Sequence, residues 1–355
     1  MKNPFRDRSG QGTGDFVPVR WLPGPHAQTI VGRLLRGAAP TPSVRRERVE
    51  TPDGDFLDLD LFGGRWPEAG DPPSDADLPV AILLHGLEGS ARSGYIRETA
   101  RRLSERGVGS IGLNFRSRSG EPNRTRRFYH SGETGDLAFV VEWTASRRPR
   151  APIGLVGFSL GGNVLLKYLG ERGDGVDSRL TAAVAASVPF DLTASARVFD
   201  SGAGRIYGSF FLRSLKATLR RKAELFPDAY DLRRAEAART LREFDEAVTA
   251  PVHGFRDAAD YYRRSSSARF LGDIRLPTLL IQAWDDPFVP RASVPAAAIR
   301  ENPALRTRFS ERGGHLGFVG RRSAWVPALW AERTAADFLA AALARAHPGP
   351  GRVFE

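Results

Sequence analysis

The sequence predicts an α/β protein with a mostly parallel, twisted β-sheet that carries helices on both faces. The first observation is a set of continuous apolar runs, which are typical of strands buried on both faces of a sheet. These runs cover residues 80–84, 108–113, 153–156, 180–188 and 278–283. The second is that helix-like stretches, at 93–106, 134–146 and 160–171, separate the first four runs. This βαβα alternation favours parallel strands.

Residues 1–43, which precede this pattern, are predicted to form an N-terminal arm. Pro18, Pro23 and Pro25 limit regular structure, so we expect an irregular, wrapping segment as far as about Gly37. Next, residues 44–50 and 56–62 alternate apolar and polar side chains around a short turn. This pattern predicts an antiparallel hairpin at the edge of the sheet.

The regular alternation of strands and helices ends after residue 188. Residues 189–275 contain helix-like stretches interrupted at Pro227, Pro251 and Gly254, and no convincing buried strand. This composition predicts a helical cap insertion near the carboxyl ends of the strands, where ligands bind in such sheets. Strands at 278–283 and 307–310 and a final helix at 324–346 complete the chain. The predicted division is an arm (1–43), an α/β core (44–188 and 276–355) and the cap insertion (189–275).

Composition excludes several classes of function. The 355-residue chain has no cysteine, which removes disulfides and thiolate metal sites. No apolar stretch approaches the roughly eighteen residues of a membrane span, and residues 1–14 lack the apolar segment of a secretory signal. We therefore expect a cytoplasmic protein without stable membrane insertion.

The net charge of +11 is expected to reflect a solvated basic surface. The arginines are dispersed, and no zinc-finger, KH or RNP-like string accompanies them, so nucleic acid is not an expected partner. One stretch, residues 210–225, is amphipathic and cationic. We expect its apolar stripe, from Phe211 to Ala223, to pack on the body of the protein, with peripheral membrane contact as the alternative.

A nucleophile is predicted at Ser159, in the pentapeptide Gly157-Phe158-Ser159-Leu160-Gly161 between an apolar run and a helix-like stretch. A tight strand-to-helix corner leaves no room for a Cβ at its flanking positions, which explains the two glycines. The corner would lift the Ser159 hydroxyl clear of the sheet. A serine hydroxyl is a poor nucleophile at neutral pH, so it needs a base and an acid that orients the base.

The partners of such a serine are expected in the order acid, then histidine. His315 lies between glycines after the last predicted strand and is the candidate base. Asp286 follows the strand at 278–283 and is the preferred acid. Asp285 and Asp191 stay open as alternatives, because neighbouring side chains that leave a strand point in opposite directions and some serine hydrolases use the earlier position.

Two backbone N–H groups are expected to stabilise the oxyanion of a tetrahedral intermediate. One belongs to Leu160. The other belongs to Leu87, in the glycine-containing loop after the strand at 80–84. His85 in that loop is expected to orient it through hydrogen bonds. No metal-binding or nucleotide-binding motif accompanies these residues, so no cofactor and no metal are implied.

Several strings together make the chain resemble the YheT-like branch of the α/β-hydrolase superfamily, also called the AB hydrolase 4 family. The resemblance covers nearly the whole chain. Its strings are residues 25–29, 85–89, 114–116, 120–123, 129–134, 157–163, 240–249, 285–290 and 313–318.

The resemblance implies a serine hydrolase with Ser159, Asp286 and His315 as its charge-relay set. It also implies hydrolysis of small carboxylic esters with short or medium acyl chains, monoacylglycerols among them, as in carboxylesterases and acylglycerol lipases. Two alternatives stay open: an acyltransferase that uses the same acyl-enzyme, and a non-catalytic protein that keeps the fold for binding.

Overall fold

The computed structural model describes residues 16–22, 24–37, 43–63, 66, 78–321 and 327–346. Eight strands form the central sheet: β1 (Val44–Glu50), β2 (Phe56–Phe62), β3 (Val80–Leu84), β4 (Gly109–Leu113), β5 (Ile153–Phe158), β6 (Leu180–Ala186), β7 (Thr278–Ala283) and β8 (Leu305–Ser310). Their order across the sheet is β1-β2-β4-β3-β5-β6-β7-β8. The pairs β1–β2 and β2–β4 are antiparallel, and every other pair is parallel. The predicted parallel sheet with an edge hairpin is therefore confirmed.

Helices cover both faces of this sheet. The helices of the described residues are α1 (Pro25–Gly37), α2 (Gly94–Ser104), α3 (Gly135–Arg147), α4 (Leu160–Arg172), α5 (Leu192–Val198), α6 (Gly204–Leu225), α7 (Leu232–Ala237), α8 (Leu241–Phe244), α9 (Ala250–Val252), α10 (Ala258–Ser265), α11 (Ala296–Glu301) and α12 (Trp330–Ala346). In β3, Val80, Ile82 and Leu84 pack in the core that contains α3 and α4. Ala81 and Leu83 pack in the core that contains α2 and α12. This alternation explains why the strand is apolar throughout.

The prediction of irregular structure up to Gly37 is wrong, because Pro25–Gly37 is helical. Pro25 is the first residue of α1, where a missing N–H group costs no hydrogen bond. The helix is anchored by its buried polar side chains: Gln28 bonds to the backbone of Val319, and Arg36 pairs with Glu332 of α12. Of the predicted arm, residues 1–15, 23 and 38–42 lie outside the described part of the chain.

The last helix begins later than predicted, at Trp330. Before it lies a short antiparallel pair, β9 (Val319–Arg321) and β10 (Pro327–Leu329). Residues 322–326, which include the predicted start of the helix at 324, are outside the described residues.

Six helices, α5 to α10, lie between β6 and β7, together with a π-helical turn (Asp245–Thr249) and a 3₁₀ segment (Ser267–Asp273). No strand occurs in this stretch, all of which is described. Side chains of α6, α7 and α8 share a separate apolar cluster that includes Leu219 and Ala223. Leu219 and Ala223 of the α6 stripe are therefore buried within the insertion, and Phe211 also packs against the core that contains α3 and α4.

Candidate active site

Ser159 lies at the corner between β5 and α4, with φ 53° and ψ −120°. A Cβ on Gly157 would lie 2.5 Å from the carbonyl oxygen of Gly161, and one on Gly161 would lie 2.5 Å from that of Leu84. Both distances are shorter than any real contact of this kind. The two glycines are therefore required because α4 and the end of β3 pass so close to the corner.

Three side chains that are distant in the sequence meet at this corner. His315 Nε2 lies 2.9 Å from Ser159 Oγ. His315 Nδ1 lies 2.9 Å and 3.1 Å from the two carboxylate oxygens of Asp286. In this geometry the imidazole can accept the serine proton at Nε2 while its Nδ1–H donates to the carboxylate.

Asp286 is buried and firmly held. Its carboxylate also accepts hydrogen bonds from Gln282 Nε2 at 3.2 Å and from the backbone N–H of Phe288 at 2.8 Å. These donors compensate the loss of water around the carboxylate and fix its orientation toward His315.

The two alternative acids have other partners. The Asp285 carboxylate accepts a hydrogen bond from the backbone N–H of Gly314 at 2.9 Å, and burial raises its pKa. Asp191 caps α5 by accepting from the N–H of Ala194 at 3.1 Å. Neither has a hydrogen bond to His315, so the structure brings Asp286 alone of the three to that residue.

The loop that carries His315 is held by two hydroxyl groups that sequence reasoning did not single out. The backbone N–H of His315 donates to Thr29 Oγ1 of α1 at 2.9 Å, and that of Leu316 donates to Ser187 Oγ at 3.0 Å. Leu316 and Ser187 both have positive φ, at 53° and 51°. Residues 25–29 were part of the family resemblance, but their spacing gave no indication of this contact.

The predicted oxyanion donors flank the serine. Leu160 opens α4, where backbone N–H groups have no partner within the helix. The loop with Leu87 also lies close, because a Cβ on Gly86 would be 3.1 Å from Ser159 Cβ. Neither the N–H of Leu87 nor that of Leu160 donates to an acceptor among the described residues, whereas the neighbouring N–H groups of Gly86 and Glu88 donate to Tyr95 and Tyr129.

His85 supports this loop and does not contact the serine. Its Nδ1 lies 2.8 Å from the carbonyl oxygen of Gly86, and its Nε2 accepts the N–H of Phe115 at 3.2 Å. This pattern requires a neutral ring with the proton on Nδ1. Complete burial lowers the pKa of His85 to about 3, which keeps the ring in that form.

Glu88 and Arg118 form a further support that the sequence did not reveal. Glu88 has φ 55° and accepts hydrogen bonds from Tyr129, Arg118 and Ser214 of α6. Arg118 also donates to the carbonyl oxygens of Glu88 and Gly89 and to Thr218 of α6. The loop that presents Leu87 is therefore bonded to the insertion between β6 and β7.

Two spaces meet at Ser159 and His315. The first, the inner cavity, has a volume of about 110 Å³ and lies under the insertion. Most of its lining is apolar; Leu192, Phe199, Leu215 and Phe288 are examples. The second, the outer groove, has a volume of about 560 Å³ and runs between α1, the Leu87 loop and α6. An ester carbonyl at Ser159 could therefore have one substituent in each space.

The inner cavity also has a polar wall. Asp245 accepts from Tyr262 and Thr249 at 2.6 Å and 2.7 Å, and burial raises its pKa to about 6. His130 and His253 lie beside this wall with ring centroids 4.5 Å apart. Burial lowers the pKa of each to about 3, so both rings are neutral at physiological pH.

Comparison with known proteins agrees with this architecture. Residues 79–321 match the family model described as the alpha/beta hydrolase fold. The chain is 38% identical over 330 residues to "Putative esterase YheT" of Escherichia coli (strain K12), covering 92% of this chain and 93% of that protein. It is 32% identical over 259 residues to a monoacylglycerol lipase of Saccharomyces cerevisiae (strain ATCC 204508 / S288c), covering 70% of this chain and 57% of that protein.

Among solved structures, the fold is similar to that of the Pyrococcus furiosus esterase Pf2001. The TM-score is 0.54 at 16% sequence identity, with 85% of this chain and 94% of that chain covered. In the part of the chain that the structure describes, none of the helices has both the length and the apolar character needed to cross a membrane.

Proposed function

Because the chain belongs to the α/β-hydrolase family, in its YheT-like branch, we propose that it hydrolyses carboxylic esters through an acyl-enzyme on Ser159. The observation that carries the proposal is the continuous hydrogen-bonded path from Asp286 through His315 to Ser159. A structural role alone would not explain why Ser159 is held at φ 53° with its hydroxyl group in hydrogen-bond contact with His315. Relatives named as an esterase and a lipase support the same reaction class.

In the first half of the reaction, Ser159 Oγ attacks the ester carbonyl carbon and His315 Nε2 takes its proton. The carbonyl oxygen becomes an oxyanion that accepts from the N–H groups of Leu87 and Leu160. Loss of one such donor typically costs about 3 kcal/mol of transition-state stabilisation. The tetrahedral intermediate then collapses, and His315 passes the proton to the departing alkoxide, which leaves as the alcohol.

In the second half, water attacks the acyl-enzyme. His315 takes a proton from the water and returns it to Ser159 Oγ as the carboxylic acid leaves. Asp286 stabilises the imidazolium in both halves.

The proposed substrates are esters with short or medium acyl chains, including monoacylglycerols. The inner cavity offers an apolar lining of limited volume, about 110 Å³, to one substituent of the ester. The larger outer groove carries polar groups such as Ser93, Tyr95 and Ser214 and suits the alcohol. Residues 189–275, which line much of the inner cavity, would act as the cap that sets chain length.

The test is labelling with a fluorophosphonate probe, followed by mapping of the modified residue. We expect the label on Ser159 and no label in Ser159→Ala. That variant should fold normally and lose at least about a thousandfold in turnover of p-nitrophenyl esters. Ser178→Ala, which removes an exposed serine, is the matched control. If Ser159 stays unlabelled in a folded protein, the chain is a binding protein and the proposal is wrong.

A further inference from the structure

Four large apolar side chains are exposed at the entrance of the outer groove. Ile30 and Leu34 lie one turn apart on α1, and Ile206 and Phe210 lie one turn apart on α6. Leu34 is 68% exposed and Ile206 74% exposed. We call these four residues the mouth patch. Single exposed apolar residues are common on proteins, but a cluster beside a binding groove marks an interaction surface.

The two helices contact each other at this entrance. His26 of α1 bonds to the hydroxyl of Tyr207 on α6 at 3.1 Å. The guanidinium of Arg33 lies over the ring of Phe210, 5.5 Å from its centroid. Ile30, Leu34 and Phe210 all line the outer groove, which reaches Ser159. The patch is therefore continuous with the path to the serine.

The charge around the mouth patch is positive. Arg33, Arg205 and Arg213 are exposed, and none of them forms an ion pair with a carboxylate of the described residues. Arg92 also lines the groove; it is exposed, and its Nε lies 3.9 Å from a carboxylate oxygen of Asp60. Among the described residues that line the groove, the one carboxylate is that of Glu88, whose side chain is buried and paired with Arg118. An apolar patch bordered by these exposed arginines fits the headgroup and acyl boundary of an anionic bilayer.

We propose that the mouth patch docks the protein on an anionic lipid surface, with the outer groove opening toward the membrane. The docking is independent of catalysis, and its use for taking up lipid esters rests on the proposed function. A second copy of the chain fits less well, because a symmetric contact would bring these arginines against their own counterparts. Four side chains also provide much less area than the roughly 800 Å² per partner of a stable interface.

The experiment measures co-sedimentation of the Ser159→Ala protein with vesicles, so that turnover plays no part. One set of vesicles contains phosphatidylcholine alone, and the other also contains phosphatidylglycerol. The test variant adds Ile206→Ser and Arg213→Gln, two exposed residues that line neither the cavity nor the groove. The matched control adds Leu225→Ser, an exposed residue at the far end of α6, and Arg233→Gln on α7.

We expect binding to the anionic vesicles that weakens as salt is added. Loss of one arginine should reduce partitioning about fivefold, which corresponds to about 1 kcal/mol. With the isoleucine also removed, partitioning of the test variant onto the vesicles should fall by more than about tenfold. Partitioning of the control should stay close to that of the parent protein. Equal losses in both variants, or no vesicle binding at all, would overturn the proposal. A loss of self-association in the test variant, without loss of vesicle binding, would identify a second copy as the occupant instead.

A second readout uses the same substitutions in a protein that keeps Ser159. Hydrolysis of a water-soluble p-nitrophenyl ester should be unchanged, and hydrolysis of an ester embedded in anionic vesicles should fall. If neither ester is hydrolysed even by the parent protein, the proposed function fails while the docking result stands. If both rates fall together, the patch acts on the site itself and membrane uptake through it is excluded.

Discussion

Ser159 holds a backbone conformation that residues with a side chain rarely adopt, and close packing keeps it there. Its flanking glycines face backbone atoms of α4 and of the end of β3. Backbone cannot move aside as a flexible side chain can, so the corner tolerates no added atom. The exposed hydroxyl is a consequence of this packing.

Gly157→Ala tests the corner. The new Cβ would lie 2.5 Å from the carbonyl oxygen of Gly161, so α4 must shift, at a cost of about 3 kcal/mol or more. Gly175→Ala is the control, because no atom lies within 4 Å of its added Cβ. Urea unfolding should show a lower midpoint for the first variant alone. A normal midpoint together with full ester turnover for Gly157→Ala would contradict this account.

Asp286→Asn tests the choice of acid. The amide cannot hold the neutral imidazole with its proton on Nδ1, and we expect turnover to fall by roughly 10⁴-fold. Asp285→Asn is the matched control on the adjacent residue, which bonds to Gly314 and not to the imidazole. Its ester turnover should fall by less than about tenfold. The measurement is the rate of ester hydrolysis by the purified, folded variants. A larger fall in turnover for Asp285→Asn than for Asp286→Asn would assign the role of the acid to Asp285.

At the scale of elements, α1 contributes directly to the site, although it packs mainly against α2 and β9. Its Thr29 hydroxyl accepts the N–H of His315, and its Arg36 donates to the carbonyl oxygen of Gly317 in the same loop. Two residues of one helix thus fix the backbone on both sides of the imidazole. The helix is a positioning element for His315.

Thr29→Val removes the acceptor and keeps the shape of the side chain. We expect kcat/KM to fall by about tenfold, since one buried N–H loses its partner at a cost of about 1–3 kcal/mol. Thr29→Ser keeps a hydroxyl and should restore most of the rate. The comparison requires kinetics together with a thermal unfolding curve. If Val and Ser at this position give equal rates, the hydrogen bond has no positioning role.

The elements also show which parts of the fold local sequence could predict. The bounds of β3 and β7 matched the apolar runs because strands buried on both faces must be apolar throughout. The sequence did not predict helix α1 because Pro18, Pro23 and Pro25 argue against regular structure, whereas Pro25 occupies a position that tolerates proline. Thr29 and His315 are 286 positions apart, and no local pattern encodes such a contact.

At the scale of the whole molecule, the protein buries three histidines in neutral form. The pKa of His85, His130 and His253 is lowered to about 3 in each case, with burial as the main cause. At a pH above the ordinary histidine pKa, these three imidazoles are neutral in both the folded and the unfolded chain. As the pH falls below it, the unfolded chain takes up protons that the folded protein excludes, so stability is lost progressively toward pH 3. The raised pKa of Asp245 has the opposite effect. As the pH falls from about 6 toward the ordinary aspartate pKa, the folded protein takes up a proton that the unfolded chain does not, so this group adds stability.

His130→Gln tests this balance. Between about pH 7.5 and about pH 5, one such histidine should account for about 2 kcal/mol of the fall in unfolding free energy. The variant should therefore lose less stability over this range than the parent protein. His26→Gln removes an exposed imidazole and is the control. Urea titrations at several pH values provide the measurement, and parallel curves for His130→Gln and the parent protein would rule out the linkage.

The sequence indicated Ser159, Asp286 and His315 because each follows a strand and parallel strands end at one edge of the sheet. It could not indicate Glu88, Arg118 or Ser214, whose bonds depend on how the insertion lies over the core. The positions of the strands along the chain follow from local pattern, and the placement of the insertion follows from tertiary packing. For this reason the cavity lining was the part left undetermined by the sequence.

The bonds from Glu88 and Arg118 to α6 restrict how the protein can be re-engineered. A chimera that exchanged residues 189–275 for those of another esterase would lose Ser214 and Thr218. Glu88 would then keep its strained backbone without one of the contacts that hold it. Selectivity and rate could not be altered separately by such an exchange unless the donor segment supplied equivalent hydroxyl groups.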